Sequence, residues 1–242
     1  MALLAVMTGL WIDLTHPFDK NTIYWPTEGG FELKSEFKGK TKGGYWYESN
    51  SFCAHEHGGT HIDAPVHFAK GKWTVDQIPL SNLTGEAVVI DLSKSVGENA
   101  DHLISKKDIL DWENKNGVLS DKVIVLFRTG WERFWKNKKK YMGTDKPGNV
   151  EGLHFPGISP EAAQLLVQRK IKAVGLDTAS LDYGQSKTFR THQILLGANI
   201  LGFENLTNLK KLPVKGAYIV ALPMKIKGGS GGPLRIVANV PE

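Results

Sequence analysis

Eleven residues, His57-Gly58-Gly59-Thr60-His61-Ile62-Asp63-Ala64-Pro65-Val66-His67, hold three histidines and a carboxylate at odd spacings. Imidazole nitrogens and carboxylate oxygens suit a borderline divalent ion, zinc or manganese. Four of the chain's eight histidines lie between His55 and His67, and such clustering favours a metal site over scattered structural or surface histidines. The spacing sets a geometric condition. A straight strand would put the four odd-numbered side chains on one face, but at ~3.3 Å per residue its ends would lie roughly 30 Å apart, too far for one ion. A helix would bring His57 near His61, yet Gly58-Gly59 and Pro65 oppose helix. The segment is therefore expected to be a sharply bent strand and loop, with glycine supplying unusual dihedrals and proline stiffening the exit. His55 shares the parity of His57 but sits on the approach, and it receives no role.

The rival chemistry is nucleophilic. Cys53 is the only cysteine, so no intramolecular disulfide forms. It falls in an apolar strand, where a buried thiol is expected to be inert rather than catalytic.

The elements that must position the ligands follow from periodicity. Trp11-Ile12-Asp13-Leu14 reads as a short strand, and Trp25-Pro26 as an extended turn whose aromatic either walls a pocket or caps the core edge. Phe31 to Phe37 and Tyr45 to Phe52 alternate as an antiparallel hairpin leading into the histidine loop. Ala87 to Leu92 is a buried strand. Lys106 to Asn116 is a helix stopped by Gly117. The continuous apolar run Val123 to Phe127 predicts a central strand buried on both faces. Gly130 to Gly157 is a long polar and aromatic segment, and a segment of that length is more often functional or interfacial than idle. Ser159-Pro160-Glu161 starts a helix that runs to about Lys170, and Ala173 to Thr178 follows as a strand. Asp182 to Ser186 is a polar turn, His192 rides a short helix, and Ile200 to Phe203 leads to Glu204. Tyr218 to Leu222 and Leu234 to Val240 close the chain as strands. Between them Gly228 to Gly232 is expected to be a flexible turn whose backbone can approach a ligand. Alternating helices and strands indicate an α/β fold.

Length fits one large domain, and without a repeat or linker the whole of 1–242 is read as a single domain with 130–157 as an insert. The net charge of +5 comes from scattered residues, and the Lys136 to Lys140 run reads as a solvated loop, so no nucleic-acid partner is expected. No apolar stretch approaches the ~20 residues of a membrane span. The lone cysteine fits a reducing compartment and hence the cytoplasm. A secreted location follows instead if apolar Met1 to Leu10 is the remnant of a trimmed signal.

The histidine stretch closely resembles the H-x-G-T-H-x-D-x-P-x-H signature of the metal-dependent cyclase or kynurenine formamidase-like family, with every fixed position present. Pro156 to Ala163, Val174 to Thr178, and His192 with Glu204-Asn205-Leu206 are similar to its later blocks, so the resemblance runs from about Trp11 to Val240. It implies a swivelling β/β/α domain with a mixed sheet, assembled as a homodimer or homotetramer. It implies one or two divalent ions, zinc or manganese, per subunit. His57, His61 and Asp63 would bind the first. Asp63 and Glu204 would bridge to a second ion, held also by His192. His67 is similar to the family's proton donor and acceptor, and Trp25 to its substrate-contacting aromatic.

Hydrolysis suits such ligands, because a divalent ion lowers the pKa of water from ~16 to ~7 and polarises a carbonyl. His67, poised near its ordinary value of ~6.5, would carry a proton from water to the leaving nitrogen. A family branch that hydrolyses isatin carries glutamine where Glu204 stands. Glutamate, with two charged oxygens, points instead to a two-ion formamidase-like centre. The implied substrate is an aryl amide of the N-formylkynurenine type. Opening of an isatin-like cyclic amide is the alternative, and a non-catalytic metal or ligand-binding protein the third, though a binder has no need of His67. The 130–157 segment departs from the compact formamidases and is expected to line a neighbouring subunit's pocket.

Overall fold

Side-chain parity along the apolar runs decides this fold. The computed structural model describes residues 9–241, so Met1 to Thr8 of the apolar start fall outside it. In chain order the strands are β1 (Leu10–Asp13), β2 (Glu32–Lys40), β3 (Trp46–Cys53), β4 (His61–Asp63), β5 (Thr84–Asp91), β6 (Leu103–Ile104), β7 (Ile124–Arg128), β8 (Gly157–Ile158), β9 (Ala173–Leu176), β10 (Leu201–Glu204), β11 (Lys215–Pro223) and β12 (Gly231–Val240). The three longer helices are α1 (Lys106–Asn116), α2 (Pro160–Gln168) and α3 (Arg190–Gly197).

Strands β5, β7, β9 and β10 run parallel, while β4, β12 and β11 complete the sheet antiparallel. The sheet closes on itself. One edge of β12 pairs with β11, and its other edge is shared between β4, at Gly231 to Pro233, and β1, at Val237 to Val240. Alternate residues then serve two cores. Ala87, Val89, Ile124, Leu126 and Ala173 fill the ring interior with Phe203 and Ile236. Val88, Ile90, Val125, Phe127, Val174 and Leu176 face outward onto the helices, against Ile109, Trp112, Ala162 and Leu166. This is a mixed α/β domain of the expected class, and β7 has the double burial that its sequence predicts. Gly175 marks how full the interior is: a Cβ there would lie 2.7 Å from Leu206 Cδ1.

Local signals set the helix ends. Ser105 and Asp108 cap α1 reciprocally, and Gly117 ends it at φ 86°. Ser159 accepts from Ala162 N to start α2, with Pro160 at the first helical position.

Two expectations change, and segment 130–157, read as an insert, packs into the body of this chain. Trp131, Tyr141, Met142, Leu153 and Phe155 are buried in the outer core, and Trp131 Nε1 donates to the Tyr141 carbonyl at 2.8 Å, so its aromatics face this chain's own interior. Cys53 is exposed rather than buried, because the β2–β3 ribbon leaves the sheet and shows both faces to solvent. Gly231 and Gly232 begin β12 instead of an open turn. A Cβ on Gly231 would fall 2.4 Å from the Ile62 carbonyl, so glycine is what lets β12 lie against β4.

Asp177, fully buried just beyond β9, ties that strand to the end of β7. It accepts from Thr129 N at 2.8 Å, Thr129 Oγ1 at 2.6 Å and Gly130 N at 2.8 Å. Asp177→Ala strands those donors away from water and is expected to cost roughly 3 kcal/mol or more in urea unfolding, with Asp177→Asn losing less because it keeps one acceptor oxygen.

Candidate metal centre

The bend predicted around Gly58-Gly59 is present. Gly59 has φ +57°, and a Cβ on Gly58 would lie 2.0 Å from the Tyr24 ring, so both positions require glycine. The chain then enters the three-residue strand β4, where His61 and Asp63 share one face and Ile62, fully buried, points into the ring. Opposite, antiparallel β10 pairs Glu204 with His61 and Gly202 with Asp63. Cross-strand pairing sets Glu204 beside His61, and the missing side chain of Gly202 leaves room for the Asp63 carboxylate. His192 arrives from the first turn of α3. The group gathers at the carboxyl ends of parallel strands β9 and β10, where open α/β sheets form their clefts.

Two sets, His57/His61/Asp63 and Asp63/His192/Glu204, each bring one ligating atom per residue within 4.8 Å of the others. Asp63 belongs to both. Its Oδ1 lies 2.8 Å from His57 Nδ1 and 3.4 Å from His61 Nε2, and its Oδ2 lies 3.3 Å from His192 Nε2. Glu204 reaches His61 Nε2 at 3.5 Å with one oxygen and His192 Nε2 at 3.3 Å with the other. His61 Nε2 and Asp63 Oδ2 are buried without a hydrogen-bond partner, as expected of atoms meant for a cation. Nitrogen and carboxylate donors of this kind fit a borderline divalent ion. The five residues read from the sequence as candidate ligands are therefore brought together.

The ligands are oriented from behind. His61 Nδ1 lies 3.0 Å from the Gly59 carbonyl, which holds the proton there and turns Nε2 to the centre. Asp182 does the same for His192: its Oδ2 lies 2.7 Å from Nδ1 and also accepts from His192 N at 3.0 Å. Sequence reading missed Asp182, which looked like part of a polar turn. His57 Nε2 meets Ser230 Oγ at 2.8 Å, and that hydroxyl donates to Glu56 at 2.6 Å. Glu204 accepts from Leu181 N at 2.7 Å.

Burial and charge act strongly here. Burial alone would lower His61, but the Asp63 carboxylate 3.4 Å away, with Glu204 behind, pushes it up to about 9. His192 likewise rises well above its ordinary value, because the bond to Asp182 and the nearby Asp63 and Glu204 carboxylates overcome burial. Asp63 is buried too, yet the three imidazoles hold it well below the carboxylate range. Glu204 is pushed up by burial and by the charge of Asp63. These imidazoles hold protons where a divalent cation would sit, so metal and protons compete for the same nitrogens.

His67 stands apart from the ligand sets. Its ring stacks on His57 with centroids 3.8 Å apart. Burial first, then the neighbouring imidazoles, push it down to about 3 against the pull of Asp63. Burial and the neighbouring imidazoles thus move His67 below the ordinary value near ~6.5 and favour its neutral form.

A cavity of about 190 Å³ opens over the cluster and over His67. Trp25 forms part of its wall, edge-on to Phe155 and beside Phe189, so the pocket reading of that tryptophan holds. Phe68 and Phe189 complete an aromatic wall that the sequence did not reveal. Phe189 adopts φ +49°, an unusual state for a bulky residue, next to a functional cluster. His55 is exposed and Cys53 does not line the cavity, which removes the thiol chemistry on geometric grounds.

The sequence profile of a putative cyclase family matches residues 12–183. An isatin hydrolase from Roseibium aggregatum is 33% identical over 82% of this chain and 77% of its own length. A kynurenine formamidase from Salinibacter ruber is 28% identical over 75% of this chain and 74% of its own. The solved isatin hydrolase A from Ralstonia solanacearum superposes with a TM-score of 0.87 at 33% identity, covering 99% of this chain and 95% of that one.

Asp182→Ala removes the carboxylate that orients His192. It is expected to weaken divalent metal binding by about 10–100-fold in a chelator competition, with the fold retained by circular dichroism.

Proposed function

The chain belongs to the putative cyclase family, and from that premise we propose that it is a metal-dependent hydrolase cleaving the amide C–N bond of an aryl amide of the N-formylkynurenine type. One observation carries the choice: Glu204, with two oxygens facing two histidines, completes a second ligand set beside the first. His57, His61 and Asp63 would hold one zinc or manganese ion, and Asp63, His192 and Glu204 would hold a second. When bound, such ions make water acidic enough to attack at neutral pH and polarise the scissile carbonyl. His67 takes a proton from the attacking water on its free ring nitrogen as the C–O bond forms, and returns it to the departing nitrogen as the C–N bond breaks. Trp25, Phe68 and Phe189 hold the aryl ring and keep bulk water out.

Opening of a cyclic amide is the second reading, favoured by the higher identity to the isatin hydrolase, 33% against 28% for the formamidase. Whole-chain identity weighs mainly the scaffold, whereas chemistry lives in the site. The bridging carboxylate therefore outranks the identity difference.

The chain acts as a homo-oligomer, with the β2–β3 ribbon seated on a second copy. Leu33, Phe37, Tyr45, Trp46, Tyr47 and Phe52 are all exposed along it. An aromatic side chain can bury ~150–250 Å², so these residues at about half exposure present on the order of 600 Å². That approaches the ~800 Å² per partner of a stable interface. A two-stranded ribbon is only marginally stable alone, and a symmetric arm exchange covers both arms with one contact. Its base is anchored by Phe31, which packs against Phe18 and stacks on Phe52.

Metal-loaded protein assayed on N-formylkynurenine and on isatin should favour the former; turnover of neither, with fold and metal intact, sinks the substrate reading. His67→Ala should keep its metal while turnover falls roughly 100-fold or more. Loss of metal would make His67 a ligand instead. Trp46→Lys combined with Phe52→Lys should shift the sedimenting species from a multiple of 26.7 kDa toward that mass.

A further inference from the structure

Beyond the metal cluster, the cavity holds two more polar atoms without partners. Tyr24 Oη and Glu28 Oε2 are both shielded from solvent and make no hydrogen bond. Both residues line the same cavity as the ligands. Tyr24 is 3% exposed, its backbone bridges to Gly58 and its ring packs closely against that glycine. Glu28 is delivered by a tight turn in which its own N–H donates to the Trp25 carbonyl at 3.0 Å. Segment 130–157 braces that turn from below, with Gly148 N donating to the Pro26 carbonyl at 2.8 Å.

A carboxylate oxygen hidden from water without a donor is costly, so one on a residue that lines a cavity calls for a donor from the ligand. Among the described residues no lysine or arginine lines the cavity, and its histidines belong to the candidate metal cluster or stack on it. The walls agree with a cationic donor. Trp25, Phe68 and Phe189 line the same cavity, and aromatic faces attract ammonium groups. Burial and the nearby Glu28 charge push the Tyr24 phenol up to about 12, so it stays protonated and can donate to an oxygen on the ligand.

We propose that Glu28 and Tyr24 form a specificity subsite for an ammonium group, so that the pocket selects an aryl amide bearing a protonated amine on a side arm. The proposal rests on the aryl-amide reading of the pocket and narrows it. Glu28 accepts from the ammonium, Tyr24 donates to a carbonyl or carboxylate oxygen on the same arm, and the amide faces the metal ligands. A neutral cyclic amide has nothing to offer Glu28, and a site built to pair a polar group rejects analogues that lack it.

Binding separates this idea from catalysis. Metal-loaded protein is titrated calorimetrically with kynuramine and with 2′-aminopropiophenone (1-(2-aminophenyl)propan-1-one), two aryl ketones that differ in the side-arm amine. Wild type should bind kynuramine at least about tenfold tighter, the scale of one charged hydrogen bond. Glu28→Gln and Glu28→Ala, checked for fold by circular dichroism, should lose most of that preference. Equal binding of the two ketones by wild type, binding of neither, or a preference that survives both substitutions overturns the subsite. Cleavage of formylated aryl amines is scored separately. The ammonium preference without cleavage of any amide would leave the subsite standing and sink the hydrolase reading, whereas cleavage without the preference would sink the subsite alone.

Discussion

Everything at this site depends on keeping one carboxylate, that of Asp63, charged and fully buried among three imidazoles. An isolated charge in such a place is prohibitively costly, and only partners within a few ångströms make it tolerable. His57, His61 and His192 supply those partners, and each is itself held from behind by Ser230, the Gly59 carbonyl or Asp182. The result is a cluster whose side chains are held in place by hydrogen bonds of their own. Preorganised ligands of this kind spend little energy reorganising around a cation.

The strand that carries Asp63 also closes the sheet. β4 is only three residues long, yet it lies between β10 and β12 and completes the ring. Fold closure and ligand placement are therefore one requirement. Gly202 and Gly231 meet it from either side, the first making room for the Asp63 carboxylate and the second letting a neighbouring backbone come within contact of β4. A side chain at either position would disturb the sheet and the cluster together.

The pocket above the cluster has a more distributed origin. Trp25 and Glu28 come from an early turn, Phe68 from just beyond the histidine loop, Met142 from segment 130–157, and Phe189 from the entry to α3. Gly148 of that same segment braces the turn that presents Glu28. Segment 130–157 thus shapes this chain's own pocket, while the β2–β3 ribbon is the part that projects outward.

Short-range chemistry was legible in the sequence. The spacing of His57, His61, Asp63 and His67 against Gly58-Gly59 and Pro65 called for a bend with ligands on one side. Ser105, Ser159-Pro160 and Gly117 marked helix ends, and the uninterrupted Val123 to Phe127 run marked a strand covered on both faces, because each depends on neighbours a few residues away. His192 and Glu204 were placed at the site by family resemblance, and their approach to Asp63 depends on the β4–β10 register and on α3. What only the tertiary structure decided rests on contacts across long stretches of chain. Asp182 became the partner of His192 when the loop after β9 folded onto α3. His67 left its ordinary protonation range when burial and three other imidazoles closed around it. Cys53 went to the surface when its ribbon left the sheet. Glu28 carried no signal at all, since an unpaired carboxylate has meaning only once the cavity that hides it from water exists.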